Sequence, residues 1–431
     1  MSLSRSYLPV LVPALAVLAA APVVAMDASD VQIHGFVSQG YLKTTDNSVY
    51  GTTTTGGGTF DFNEVGVNFT ATPIDRLRVG VQIFAQNVGK YGEGKPQIDW
   101  AYGEYELPTG KSDCSASLSA GRVKTSHGLY NDYRDLDMTR TGVFLPDSVY
   151  STTYRDFSIA VNGAEVNGTM NAGALGAFHA NAYIGGQNVA SDSAIADRYS
   201  SAATVSTVDN ITVERADGGG LEWTTPVDGL RFKGSVIHVT HMLADVTTDA
   251  GTILAEPVPG MTLNTTTPQS WQIDLTQYIN WIVGGEYQVG NFTFASEYSN
   301  AFYQADINVP AYAYTAPIAL GGPGTTAAVH QHISNRTQGA YVNGSYRFHP
   351  KWEASLMGTW SYAKNYDGTG DSVSDFKRAG IIALRFDPTE HWLIKAEFQR
   401  NCGTLGLYAP ENPNGMTEYW NLFAVKTTFD F

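Results

Sequence analysis

One stretch of the chain, from Lys124 to Arg155, concentrates ionisable side chains: Lys124, His127, Asp132, Arg134, Asp135, Asp137, Arg140 and Asp147. Held in a narrow, partly desolvated passage, such charges act strongly on passing ions. On an ordinary surface loop they would be solvated and incidental. A second set of basic residues, Arg78, Arg231, Lys233, Arg347, Arg385 and Lys395, is spread along the chain but recurs close to short turns. Rings of Arg and Lys favour anions in a pore. Alternatively, these side chains pair across strands with Glu353, Glu397 and Asp430, and the two readings stay open at this point.

Other reactive patterns are weak. His330-Gln331-His332 lies in a Gly/Thr-rich segment without matching carboxylates, so no metal site is expected. The glycine runs Gly56–Gly58 and Gly218–Gly220 lack the Lys-Ser/Thr continuation of a phosphate loop. There is no Gly-x-Ser-x-Gly nucleophile elbow. His and Ser occur together in Val31–Ser38, where lining a pore is the simpler role. No catalytic residue and no cofactor is expected.

The elements that would position these residues are strands. In Trp392–Gln399, one parity carries Trp392, Ile394, Ala396 and Phe398, and the other carries Lys395, Glu397 and Gln399. Turning a Lys to lipid near the bilayer midplane would cost about 2–4 kcal/mol, so Lys395 and Glu397 are assigned to an inner face. Likewise Leu77, Val79, Val81 and Ile83 oppose Arg78 and Gln82, and Ile382, Leu384 and Phe386 oppose Lys377 and Arg385. Polar groups on the inner face imply a wet interior. Aromatic residues gather near the turns (Tyr346, Phe348, Trp352, Phe386, Trp392, Phe429, Phe431) and at the far strand ends (Tyr41, Tyr298, Trp360, Tyr362, Tyr419), as two interfacial girdles would require.

Short turns punctuate the strands at Thr72–Leu77, Thr225–Leu230, Phe348–Trp352 and Phe386–Trp392, where Pro removes a ladder donor and Asp or Gly supplies the turn. Three more are expected at Pro108–Gly110, around Asn167-Gly168 and at Val289–Asn291. Between them lie long Thr/Ser/Gly/Asn/Asp-rich loops at 44–59, 87–97, 124–155, 186–220, 242–270, 305–334, 365–374 and 403–417. Alternating short turns and long loops give sixteen strands, eighteen being the other count, with both termini on the short-turn side. A closed, antiparallel, all-β transmembrane barrel is the fold class expected. Cys114 and Cys402 then fall at opposite ends and do not pair.

Composition agrees. Charged residues make up 16%, low for a soluble domain, while aromatic residues reach 12% and there are 44 Gly. A net charge of −15 argues against nucleic acid as a partner. Residues 1–25 read as an export signal, with Arg5, an apolar Leu8–Leu18 and small residues up to Ala25. Residues 26–431 then form a single barrel domain.

The last strand, Trp420–Phe431, resembles the closing strand of Gram-negative outer-membrane barrels, with Phe431 at its end and Phe429, Val425 and Phe423 on one face. Val31–Phe36 looks like the first strand of porin-like proteins. Gly121–Val123, Leu129–Asp132 and Leu145–Tyr150 look like the third-loop region of some porin-like channels. The resemblance implies a barrel in the outer-membrane lipid, usually a homotrimer, whose third loop (124–155) folds inward and narrows a pore for passive diffusion of small hydrophilic solutes and ions. Lys124, Asp132, Arg134, Asp135, Asp137 and Arg140 become the expected constriction. Two other classes compete: a barrel enzyme acting on phospholipid or protein, and a structural or adhesive barrel without conductance.

Overall fold

The computed structural model describes residues 30–431 apart from 51–53, 89–91, 153, 197–205, 251–252, 259–260, 316–321, 365–371 and 409–410. The expected export signal, 1–25, lies outside the described residues.

The strands of one half are β1 (Gln32–Thr44), β2 (Phe62–Ile74), β3 (Leu77–Val88), β4 (Gln97–Leu107), β5 (Cys114–Lys124), β6 (Ala160–Asn171), β7 (Ala177–Val189) and β8 (Ser206–Thr224). After β9 (Leu230–Thr248) come β10 (Ile253–Val258), β11 (Met261–Thr265), β12 (Gln269–Val289), β13 (Phe292–Val309), β14 (Ala313–Thr315) and β15 (Gly324–Thr325). The chain ends with β16 (Val329–His349), β17 (Trp352–Lys364), β18 (Phe376–Thr389), β19 (Trp392–Gly403) and β20 (Tyr419–Asp430). Sixteen of these close into one antiparallel barrel; β10, β11, β14 and β15 form a separate small sheet. Closure is made by β20 on β1, with Val37 opposite Phe429 and reciprocal main-chain bonds between Gly35 and Phe431. A cylinder leaves no sheet edge, which is what hydrocarbon demands of a spanning sheet.

The alternation sorts the two faces as their costs require. Ile33, Val37, Leu118, Val283, Leu356 and Ile382 are exposed on the outside. Lys395, Glu397 and Lys426 are buried on the inside. Rings stack along the outer wall near the short turns, Trp352 on Phe386 at 4.4 Å and Phe292 on Tyr346 at 4.3 Å. Cys114 and Cys402 are both free thiols.

Two expectations need correcting. Asn167 and Gly168 do not turn; they sit within β6, opposite Asn181 and Ala180. The chain reverses at 172–176, where Gly173 and Gly176 take positive φ of 61° and 86° that side chains resist. An Asn-Gly pair fits a pleat as well as a turn, and the true turn lies a few residues on. Secondly, the loops expected at 186–220, 242–270 and 305–334 are shorter, because the strands continue into them. β8 and β9 run 19 residues and β12 and β16 run 21, although roughly 9–11 suffice to span a bilayer. Beyond the lipid the outward face turns polar, with His241 beside Asp274 and His332 beside Asp306. Polar composition there marks the exit from hydrocarbon, not the end of the ladder.

Candidate functional site: a loop folded across the lumen

The segment between β5 and β6 enters the barrel and is gripped from several sides. Along β13 and β16, Glu297 accepts the Leu129 N–H at 2.7 Å and the Tyr150 and Tyr341 hydroxyls at 2.6 and 2.7 Å. Gly128, at φ 64°, donates its N–H to Ser235 Oγ at 2.9 Å. On β19, Glu397 Oε2 accepts the N–H groups of Val143 (2.7 Å) and Phe144 (3.2 Å). Bonds to charged groups contribute about 1.5–3 kcal/mol each.

A buried ionic cluster holds the loop against β19 and β20. Asp137, with no side-chain exposure, meets Lys426 at 2.7 Å and Arg140 at 2.9 Å, and accepts from the Thr428 hydroxyl at 2.7 Å. Lys395, fully buried, donates to the Asp137 and Gly142 carbonyls at 2.6 and 3.0 Å. Burial alone would raise the Asp137 pKa, but Lys426, Lys395 and Arg140 outweigh it and hold the carboxyl well below the usual carboxylate range.

Across the lumen, Arg155 bridges Asp99 on β4 (3.0 Å) and Asp135 (2.8 Å), its guanidinium 4.6 Å from the Phe84 ring centre. Burial opposes ionisation of Asp135, yet Arg155 and Lys124 pull its pKa down to about 2. His127 is driven the other way: burial, reinforced by Arg134, lowers its imidazole to about 3, so it is neutral at ordinary pH. The far limb of the loop is tied to β18 by Lys377 and Asp147 at 2.5 Å, and to β16 by Ser148 Oγ donating to the Ala340 carbonyl at 3.0 Å. A Cβ at Gly339 would overlap the Ser148 carbonyl oxygen, so glycine permits this close approach.

The loop divides the lumen. On its short-turn side lies a cavity of about 710 Å³, lined by Arg78, Glu104, Lys124, Asp132, Glu165 and Lys233 among others. Another of about 380 Å³ is lined by Arg140, Arg231, Arg347 and Arg385 against Glu286 and Glu353. On the long-loop side a third cavity measures about 190 Å³. Phe144 and Leu145 line both the 190 Å³ and the 380 Å³ spaces, and so stand between them.

Comparison with solved structures gives the same architecture. OmpF of Salmonella typhi, solved in complex with daunomycin, superposes with a TM-score of 0.53 at 13% identity, covering 93% of this chain and 97% of that one. The outer membrane channel DcaP of Acinetobacter baumannii gives 0.52 at 11% identity, with the same 93% and 97% coverage. OmpT, an outer membrane protein of Vibrio cholerae, gives 0.51 at 13%, again over 93% and 97%. No family model and no curated relative matches the chain. The fold is that of the outer-membrane porin barrels.

Within this porin-type barrel the six expected constriction residues do not share one environment. Asp132 is half-exposed, 53% at the side chain, and faces Lys233 at 3.0 Å. Lys124 lines the larger cavity and donates to the Asp132 carbonyl at 3.0 Å. Arg140 lines the 380 Å³ cavity. Arg134, Asp135 and Asp137, by contrast, are buried, Arg134 and Asp135 against other residues of the loop and Asp137 against Lys395 and Lys426 of the wall. They departed from the expected open lining because their ion pairs anchor the loop, and burial shields those pairs from screening.

The six basic wall residues all face inward, mostly paired. Arg231 meets Glu286 at 3.1 Å and donates to Tyr133 Oη at 2.7 Å. Arg347 meets Glu353 (2.5 Å) and Asp387 (2.9 Å), and Arg385 meets Asp387 at 2.7 Å. Lys233 and Lys395 take the loop partners given above. Arg78 makes no ion pair among the described residues. Of the partners considered from sequence, Glu353 does pair with a wall arginine, Glu397 binds loop main chain instead, and Asp430 lies 3.6 Å from His391. His330 and His332 bond to Asn308 and Asp306 on neighbouring β13, and no metal-holding cluster occurs among the described residues.

Sequence reasoning missed Glu297, Asp99, Arg155, Phe144 and Leu145. Glu297 was readable: it has the inner parity of β13, between Ala295 and Ser299, where an isolated carboxylate needs a partner. Phe144 and Leu145 were not, since apolar residues in a loop carry no mark of where the loop goes.

Proposed function

We propose that this chain is a passive channel of the Gram-negative outer membrane, conducting small hydrophilic solutes and ions and catalysing no reaction. The observation that carries the reading is a closed sixteen-stranded cylinder, apolar outside, with polar cavities on both sides of a loop clamped in its lumen. Barrels of this size enclose an aqueous channel. The narrow passage lies beside the third loop, with Phe144 and Leu145 at its apolar edge and Arg140, Asp132 and Lys124 on its short-turn side. A hydrophobic constriction of this kind gates by excluding water, while charged rings set ion preference.

A modest preference for anions follows from the space next to that edge, which four arginines line against two glutamates. Pairing with carboxylates weakens their field, so the preference is slight. Three copies are the assembly the porin-type barrel suggests, to be weighed by native mass in mild detergent.

Reconstitution in planar bilayers is the deciding experiment. Stepwise conductance, with a reversal potential of anionic sign under a salt gradient, is the expected result. A sealed barrel would favour a structural or adhesive role, and hydrolysis of added phospholipid or peptide would favour a barrel enzyme.

A further inference from the structure

The cavity on the long-loop side of the third loop differs from the two below it. Those have walls rich in charged residues, whereas this one is walled mainly by rings, aliphatic groups, hydroxyls and amides. Tyr50, Phe144, Tyr278, Tyr303, Tyr408 and Trp420 contribute rings. Tyr50 stacks on Phe144 at 5.7 Å and 25°, and Phe144 stacks on Phe62 at 5.4 Å and 12°, making a rigid floor. Asn280, Ser299, Thr337, Ser361, Gln399 and Asn401 contribute polar groups. Charge here is sparse, and besides the buried Glu411 carboxylate, which would repel an anion, it is compensated. Asp147 and Lys377 already neutralise each other at 2.5 Å, and buried His127 is uncharged.

One polar group is unanswered. Asn401, on the inner face of β19, is 1% exposed, and its side-chain amide nitrogen has no hydrogen-bond partner among the described residues. A buried donor left unpaired is unfavourable, so a site that leaves one beside a cavity gains by accepting a polar guest. The volume, about 190 Å³, limits the guest to one six-membered ring, since a cavity of roughly 150 Å³ holds benzene.

We propose that this cavity is a binding site for a neutral, polyhydroxylated ring, a single sugar unit, in which Asn401 donates to a ring or hydroxyl oxygen and the aromatic walls cover the ring faces. An anion would have to break the Asp147–Lys377 pair, and a bare aromatic ring would leave the Asn401 amide unsatisfied. The inference deepens the channel reading by naming a solute class, and it rests on that reading only for its role in transport.

The test is calorimetric titration of the full barrel in detergent micelles with D-glucose, with phenol as the aromatic probe and mannitol as an open-chain polyol control. Saturable glucose binding with a Kd of about a millimolar is expected, weakened about tenfold by Asn401→Leu. Tyr303→Ala, on β13, weakens it independently should Asn401→Leu fold poorly, while the outward-facing Tyr105→Ala leaves it unchanged. Absence of saturable glucose binding, binding of phenol in preference to glucose, or equal binding of mannitol would overturn the proposal. Because binding is read without conductance, a barrel that conducts but binds no glucose fails this inference alone, and a barrel that binds glucose but does not conduct fails the channel reading alone.

Discussion

Glu397 on β19 accepts the main-chain N–H of Val143 at 2.7 Å, so a wall carboxylate holds the backbone of the third loop directly. Glu297 does the same for Leu129 from β13, with three barrel strands between the two. Two fixed carboxylates therefore set the position of the loop, and with it the shape of the passage. Glu397→Gln keeps an acceptor but loses the charge, weakening the grip by roughly 1 kcal/mol or more. Single-channel traces should show added open-channel noise, with mean conductance little changed. Quiet traces identical to wild type would show that this clamp does not position the loop.

The apolar edge makes its own prediction. Phe144→Ala removes a stacked ring from between two cavities and widens the passage. Single-channel conductance should rise, about twofold, whereas Phe423→Ala on the lipid face should leave it unchanged. Conductance that stays fixed in Phe144→Ala places the narrowest point elsewhere.

Asp137 ties the loop to β19 and β20 through Lys395 and Lys426. Replacing it by Asn removes the carboxylate beside Lys395 and leaves Lys426 with Glu64 alone, a loss of about 3–5 kcal/mol for a broken buried pair. The thermal unfolding midpoint in detergent should drop by several degrees. Glu93→Gln, at an exposed surface pair with Lys95, should not move it.

Acid should loosen the loop. His127 titrates near its ordinary 6.5 when the loop is free and near 3 when it is packed, so the free state binds the extra proton between those values. Packing is therefore fully favoured above pH 6.5 and weakens as pH falls towards 3, by up to about 1.4 kcal/mol per pH unit. Asp135, held low, adds to the loss only below its ordinary 3.8. Open-channel noise should grow from pH 6.5 to pH 4, and His127→Asn should flatten that dependence; a wild-type profile in the variant would remove His127 from the account.

Charge preference can be dissected at the 380 Å³ cavity. Arg231→Gln combined with Arg385→Gln removes two of its four arginines and should shift the reversal potential towards cations. Arg76→Gln, beside an exposed turn aspartate, should alter it far less.

By itself the sequence determined the cylinder. Period-two alternation with Lys395 and Glu397 on one parity, Pro-marked turns and the closing Trp420–Phe431 strand all follow from local costs: hydrocarbon excludes charge, and Pro cannot donate to a ladder. Where alternation persisted but the outer residues turned polar, as at His241 and His332, that local rule mistook the upper strands for loops. The passage itself was decided only by the tertiary structure. Whether Asp137 lines water or anchors a loop depends on Lys426 and Lys395, hundreds of residues away along the chain and 2.7 and 3.7 Å away in space. A charge declares that it needs a partner; only the closed barrel chooses which one.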